Sequence, residues 1–211
     1  MNTAMKTFLR ALLDGDTQGA ISEARILRDA GVAKRRIIID GVEEAMTRLD
    51  AKCTVEQFNL LEIMLCGRAV MEVIHELYPT GAPPAETKGT LVLCSLEGDV
   101  HDLGKNIVKV IASAGGYRVV DRGKDCPLER LLDTAANEAP LAVGLSGLIT
   151  TIIPQVRLVR EALAARGLGR VKIMAGGAAL KQASAAYLNV DFVAQTAFDG
   201  LHFLDQLTGG A

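Results

Sequence analysis

A proline- and glycine-rich segment, Pro79-Thr80-Gly81-Ala82-Pro83-Pro84-Ala85-Glu86-Thr87-Lys88-Gly89, separates two stretches whose apolar residues repeat with different periods. Its prolines remove backbone donors and its glycines favour turns, so it reads as a linker and the main domain boundary. Before it the pattern is helical. Met5, Phe8, Leu9, Leu12 and Leu13 share one face until Asp14-Gly15-Asp16 breaks the run. Ala20, Ile21, Ala24 and Leu27 form a second stripe ending near Gly31, and Ile37, Ile38, Val42, Met46 and Leu49 a third. A fourth begins at Thr54 with Gln57 in capping-box spacing and continues to about Tyr78, with Met64 and Met71 expected in the bundle core. Short loops between amphipathic helices predict a small antiparallel four-helix bundle.

Beyond the linker, apolar runs alternate with helical stretches. Strands are expected at Thr90–Ser95, Arg118–Asp121, Leu141–Ser146, Val171–Ala175 and Phe192–Ala194. Helices are expected near 104–115, 128–138, 153–166, 178–187 and 198–207. Buried, non-alternating strands separated by helices imply a parallel sheet covered on both faces. Right-handed crossovers then give an α/β, flavodoxin- or Rossmann-like, doubly wound five-stranded sheet. The expected organisation is a helical domain at 1–80, a linker at 81–89 and an α/β domain at 90–211.

In such sheets ligands bind beyond the carboxyl ends of the strands. The distinctive residues fall there: Gly98-Asp99-Val100-His101-Asp102-Leu103-Gly104 after the first strand, Ser146-Gly147-Leu148-Ile149-Thr150 after the third, Gly176-Gly177 after the fourth, and Gln195-Thr196 after the fifth. Asp99 can bond one ring nitrogen of His101 and leave the other for a metal. No His, Cys or carboxylate cluster completes a bare metal site, and a single axial ligand suits a metal already held by a macrocycle. Gly98 and Gly104 permit a tight loop, Asp102 is positioned to cap the next helix, and Gly176-Gly177 allow close backbone approach. Lys105 and Asn106 open that helix, either to contact a phosphate or amide of a ligand or to face solvent. The loop lacks the Gly-Lys-Ser/Thr ending of a phosphate loop, and Ser146 lacks the second glycine of a nucleophile elbow.

Asp99-x-His101-x-x-Gly104, then Ser146-x-Leu148, then Gly176-Gly177 resemble the cobalamin-binding signature of corrinoid proteins. The whole chain is similar to the small corrinoid proteins of methyltransferase systems, and to the cap and cobalamin modules of cobalamin-dependent methionine synthase. The resemblance implies a base-off/His-on corrinoid in which His101 is the lower cobalt ligand and Asp99 its hydrogen-bonded partner. It places the cofactor's nucleotide tail against Ser146, Leu148, Gly176 and Gly177, and assigns Gly98, Val100, Asp102, Gly104, Thr150 and Gln195 to the same cofactor-binding set. The second serine of the methionine synthase relay is replaced by Ile152, which leaves Thr150, Thr151 or water to complete it. The cap's aromatic residue has no clear counterpart near Lys52–Val55; its leucine corresponds to Leu60 or Leu61.

The implied function is a methyl carrier cycling between Co(I) and methyl-Co(III). A donor-specific methyltransferase (for methanol, methylamines, betaines or phenyl methyl ethers in an O-demethylase) would load it. A tetrahydrofolate or thiol methyltransferase would unload it, and a reductive activase would restore Co(I). With 211 residues the chain is not expected to turn over alone. The alternatives are a cobalamin-dependent sensor or photoreceptor, usually capped by a tryptophan that this chain lacks; a small mutase subunit, normally without the helical cap; and a cofactor-free flavodoxin-like interaction module. A net charge of −2 makes no case for nucleic acid or an anionic membrane, and no apolar stretch approaches the roughly 20 residues needed to span a bilayer. Cys53, Cys66, Cys94 and Cys126 form no Cys-x-x-Cys pair; Cys66 in a helical run and Cys94 in a β-like run are expected as buried apolar residues, and the protein is expected in the cytoplasm.

Overall fold

The computed structural model describes residues 3–45, 47, 48, 60–79 and 87–209. The chain divides into two compact units, Met1–Pro79 and Thr80–Ala211. None of the described helices is long and apolar enough to cross a membrane.

The first unit is helical throughout its described residues. Helix α1 (Thr3–Leu13) buries Met5, Phe8, Leu9 and Leu12, the face its spacing predicted. Asp16 caps α2 (Thr17–Asp29) by accepting from the Gly19 N–H at 2.9 Å, and α2 buries Ala20, Ala24 and Leu27. Helix α3 (Lys34–Ile37) widens into a π-helical turn, Ile38–Glu43, that no sequence period announced. Its cause is packing: a Cβ on Gly41 would stand 2.2 Å from Phe8 Cε1, so the turn seats its glycine directly on α1. Helix α4 (Leu60–Leu77) packs on α1 and α2 through Cys66, Ala69, Val70, Val73, Ile74 and Leu77. Its expected start at Thr54, with Gln57, lies outside the described residues, as do Met46, Leu49, Lys52–Val55 and Cys53. Met64 is not a core residue: it is 63% exposed beside exposed Leu61 and Leu65, because the helix turns its small and β-branched residues inward.

The second unit is a five-stranded sheet in the order β2-β1-β3-β4-β5: β1 Thr90–Ser95, β2 Arg118–Asp121, β3 Ala142–Ser146, β4 Lys172–Gly176 and β5 Phe192–Val193. Every pairing is parallel. Between the strands run α5 (Leu103–Ala114), α6 (Leu128–Glu138) and α7 (Ile153–Ala165), and α9 (Ala197–Leu207) follows β5. Successive β1 residues serve opposite layers: Val92 and Cys94, with Leu96 just beyond the strand, join an apolar cluster with α6 and α7, whereas Leu91 and Leu93 join Tyr117, Met174 and Leu204 on the other face. Burying each such side chain stabilises the fold by about 1.5–3 kcal/mol. One expected helix is broken. Residues 178–187 form a 3-10 turn, Leu180–Gln182, and a short α8, Ala185–Leu188, because Ala183 is extended and Ser184 starts a new helix by accepting from the Tyr187 N–H.

β1 and β3 are neighbours, yet the chain leaves β1 toward β2 and returns to the other side for β3. The loops after these two strands therefore diverge, and a crevice opens at their carboxyl ends.

Candidate functional site

Asp99 and His101 sit in the loop between β1 and α5, at that crevice. Gly98 turns the chain with φ +92, and no neighbouring atom lies within 4 Å of where its Cβ would be. Asp99 has no exposed surface. Its Oδ1 accepts from the His101 N–H at 3.0 Å and lies 2.7 Å from His101 Nδ1, and its Oδ2 accepts from the Leu148 N–H at 2.7 Å. A carboxylate only accepts, so Nδ1 carries the ring proton and Nε2 keeps its lone pair. The His101 side chain is half exposed, which leaves Nε2 available to a ligand above the rim.

The Leu148 bond answers the question raised by Ile152. Ile152 is buried in the core, Thr150 and Thr151 are exposed, and the second carboxylate oxygen is satisfied by a peptide N–H instead of a hydroxyl. No sequence pattern carries this contact, since a backbone donor leaves no trace in residue type.

The other rim loops are stitched to the same centre. Gly147 N–H donates to Gly176 O at 2.9 Å, and Ala179 N–H to Gly147 O at 3.2 Å. Gly177, at φ +95, lies so near this bridge that a Cβ would stand 2.5 Å from Gly147 O. Gln195 Nε2 donates to Lys181 O at 3.3 Å, joining the loops after β4 and β5. A Cβ on Gly104 would meet only Ser146 Oγ, at 4.0 Å, so the space between α5 and the end of β3 is open. Val100 and Leu148 present exposed apolar side chains on the two loops that meet at Asp99, and Thr150, itself exposed, opens a 3-10 turn.

Two sequence expectations are corrected. Asp102 occupies the N-cap of α5, but its carboxylate makes no capping bond; with ψ −2 the side chain is not aimed at the helix N–H groups, and only its carbonyl accepts, from Asn106 N–H at 2.8 Å. Lys105 neither faces solvent nor offers its charge to a ligand. It is 2% exposed, and Nζ donates to Asp121 Oδ1 at 2.6 Å and to Asn106 Oδ1 at 3.0 Å. Burial pushes the Asp121 carboxyl up, but Lys105, the Gly123 N–H and Lys109 outweigh it and hold it below the usual carboxylate range.

Sequence reasoning missed the groups that hold the loop from behind. Ser95 Oγ donates to His101 O at 2.8 Å. Asp125, left-handed at φ +52, accepts from Gly98 N–H at 2.8 Å and donates its own N–H to Asp99 O at 3.0 Å. A non-glycine residue kept at positive φ beside such a loop marks a position that its surroundings over-determine. The one available signal was Ser95 itself, a hydroxyl closing the apolar run Leu91–Cys94.

Among the described residues no group of three or more His, Cys, Asp and Glu side chains could hold a metal ion. Cys66, Cys94 and Cys126 are buried, and no disulfide forms among the described residues.

Residues 89–201 match the family described as the B12 binding domain. The chain is similar to a methanol–corrinoid protein of Methanosarcina barkeri, 27% identical over 95% of this chain and 78% of the relative. It is also similar to dimethylamine corrinoid protein 1 of Methanosarcina acetivorans, 32% identical over 78% of this chain and 79% of the relative. Among solved structures, its fold resembles the Methanosarcina barkeri monomethylamine corrinoid protein, with a TM-score of 0.80, 24% identity, and coverage of 95% of this chain and 96% of that one. It also resembles the methanol:cobalamin methyltransferase complex of Methanosarcina barkeri, with a TM-score of 0.55 and 25% identity, covering all of this chain and 81% of that one.

Proposed function

The chain belongs to the B12-binding family of corrinoid proteins, and on that premise we propose that it holds its corrinoid base-off and His-on, with His101 Nε2 as the lower axial ligand of cobalt. The observation that carries this reading is the buried Asp99 carboxylate, 2.7 Å from Nδ1, which leaves one imidazole nitrogen free at the sheet's ligand-binding rim. The residues present fit such a group: one nitrogen donor suits a metal already equatorially held, and exposed Val100 and Leu148 suit the apolar face of a macrocycle. The space between Gly104 and Ser146, flanked by the close-packed Gly147 and Gly177, would take the nucleotide tail. Gly98, Asp102, Thr150, Gly176 and Gln195 shape the loops around it.

The protein is a methyl carrier of a corrinoid-dependent methyltransferase system. When bound, the corrinoid supplies a cobalt centre that takes up and gives up a methyl group. The chain's own residues hold the ring of His101 through Nδ1 and keep Asp99 away from water. The partners that follow are a donor-specific methyltransferase, an acceptor methyltransferase using tetrahydrofolate or a thiol, and a reductive activase, all in the cytoplasm. Buried cysteine thiols, with no disulfide among the described residues, suit that reducing compartment. The sensor and cofactor-free readings are not favoured, since the relatives are methanol and methylamine corrinoid proteins.

The test is a visible spectrum of the protein loaded with hydroxocobalamin, beside His101→Ala. Retention by both, with loss of the His-on spectrum in the variant, is the expected result. Identical spectra would remove His101 as ligand, and failure of the wild type to retain any corrinoid would remove the carrier function with it.

A further inference from the structure

Ser95 is the last residue of β1 and has no exposed surface, among neighbours Leu93, Cys94 and Leu96 that are equally buried and apolar. A hydroxyl in such surroundings is costly unless bonded. Its bond goes to one group, the carbonyl of His101, at 2.8 Å. The serine itself is immobile: its N–H donates to Gly123 O at 3.0 Å, its C=O accepts from Cys126 N–H at 2.9 Å, and its Cα pairs with Ser146 on β3. His101 is thus gripped at both ends of its backbone and at its ring. The N–H and Nδ1 rest on Asp99 and the C=O rests on Ser95. With the peptide planes on both sides fixed, the Cα–Cβ direction is fixed, and the Nδ1–Asp99 contact then selects among the staggered side-chain rotamers the one that directs Nε2.

We infer that Ser95 is a positioning residue for His101, its buried hydroxyl holding the His101 carbonyl so that Nε2 meets a bound cobalt along the axial direction. The inference rests on the His-on reading above. Ser95 touches neither corrinoid nor methyl group; it acts through the main chain of the ligand. Asp99 sets the tautomer and ring orientation, whereas Ser95 sets the height and tilt of the residue that carries the ring.

The experiment uses the full chain loaded with hydroxocobalamin and reduced to Co(II), read by electron paramagnetic resonance. An axial imidazole nitrogen there splits each cobalt line into a triplet, and a nitrogen-free axial position does not. Wild type, Ser95→Ala, Ser95→Thr and His101→Ala are compared. Ser95→Ala is expected to retain corrinoid while the ratio of His-on to His-off forms falls roughly fivefold to a hundredfold, the effect of an unmade buried hydrogen bond. Ser95→Thr, which keeps the hydroxyl, restores the triplet. If Ser95→Ala fails to fold, Ser95→Cys, nearly isosteric but a weaker donor, is expected to show a lowered ratio. Wild-type triplets in Ser95→Ala, or in Ser95→Cys if that is the variant read, overturn the inference and leave the His-on reading standing. A wild type without triplets overturns both.

Discussion

A carboxylate with no exposed surface needs partners for its oxygens, and Asp99 meets the His101 N–H, the His101 ring and the Leu148 N–H. That arrangement makes the site a rigid cradle whose conformation is dictated by sterics as much as by charge. Gly98 and Gly177 show the difference. Both have positive φ, at +92 and +95, but a Cβ on Gly98 meets nothing within 4 Å and one on Gly177 meets Gly147 O at 2.5 Å. Gly98→Ala should therefore cost only backbone strain, about 1–2 kcal/mol in urea unfolding. Gly177→Ala adds a clash between two main chains and should cost at least about 3 kcal/mol, because neither chain can rotate away. Equal losses for the two variants would show that the Gly147–Gly177 approach is not tight. At this scale the residue types at the rim were legible, since glycine, histidine and aspartate in loops carry their own chemistry. The donor from Leu148 was not, because every non-proline residue has an N–H and only folding selects which one arrives.

At the scale of elements, α5 is the helix that carries the loop's far end, and what pins it to the sheet is a buried ion pair. Lys105 Nζ reaches Asp121 Oδ1 on β2 at 2.6 Å, and Asp121 also accepts from the Gly123 N–H at 2.9 Å. Gly123 O in turn receives the Ser95 N–H, so helix, strand end and His loop share one network. Removing one partner strands a buried charge. Lys105→Met should destabilise the chain by about 2–4 kcal/mol, softened because Lys109 still faces Asp121. Adding Asp121→Asn should cost much less than its own single effect, and a cycle in which the two losses simply add would show the pair to be uncoupled. The amphipathic pattern of α5 and the apolar run of β2 were readable from their periods. The inward turn of Lys105 was not, because a lysine at a helix start is ordinarily solvated and its burial depends on an aspartate sixteen residues away. The broken helix after β4 has a local cause that the alanine-rich sequence hid: Ser184 competes for a helix N-terminus of its own.

At the scale of the whole chain, the α/β unit is laced by carboxylates held below their usual range. Burial pushes each upward, and its partners more than offset it: Lys105, Gly123 N–H and Lys109 for Asp121; Ile173 N–H, Arg160 and Lys172 for Asp191; Lys88 and Tyr117 for Asp205. A carboxyl whose folded pKa lies below its unfolded value of about 3.9 contributes stability above about pH 4, and the contribution is lost as pH falls through the folded value. Thermal unfolding followed by circular dichroism should show a midpoint that drops as the solution is acidified below about pH 4. Asp191→Asn should lower the neutral-pH midpoint and shrink that acid drop, because one of the groups that must take up a proton is gone. An acid profile parallel to that of the wild type would show that Asp191 does not take part. The family match spans most of this unit, and the methyl-carrier function follows from that match together with relatives that are methanol and methylamine corrinoid proteins.

The sequence by itself determined the order of the five strands along the chain, the parallel sheet and the position of the Asp99–His101 and Ser146–Leu148 loops at its carboxyl edge, since periodicity, turn chemistry and strand-helix alternation are local properties that each segment carries alone. Only the tertiary structure decided which groups hold His101 in place. The Leu148 N–H, the buried Lys105, the Asp125 clasp and the Ser95 hydroxyl become partners through the approach of segments far apart in the chain or through burial that excludes water. Hydrogen bonds gain their directing power there because, away from solvent, a lost partner is not replaced.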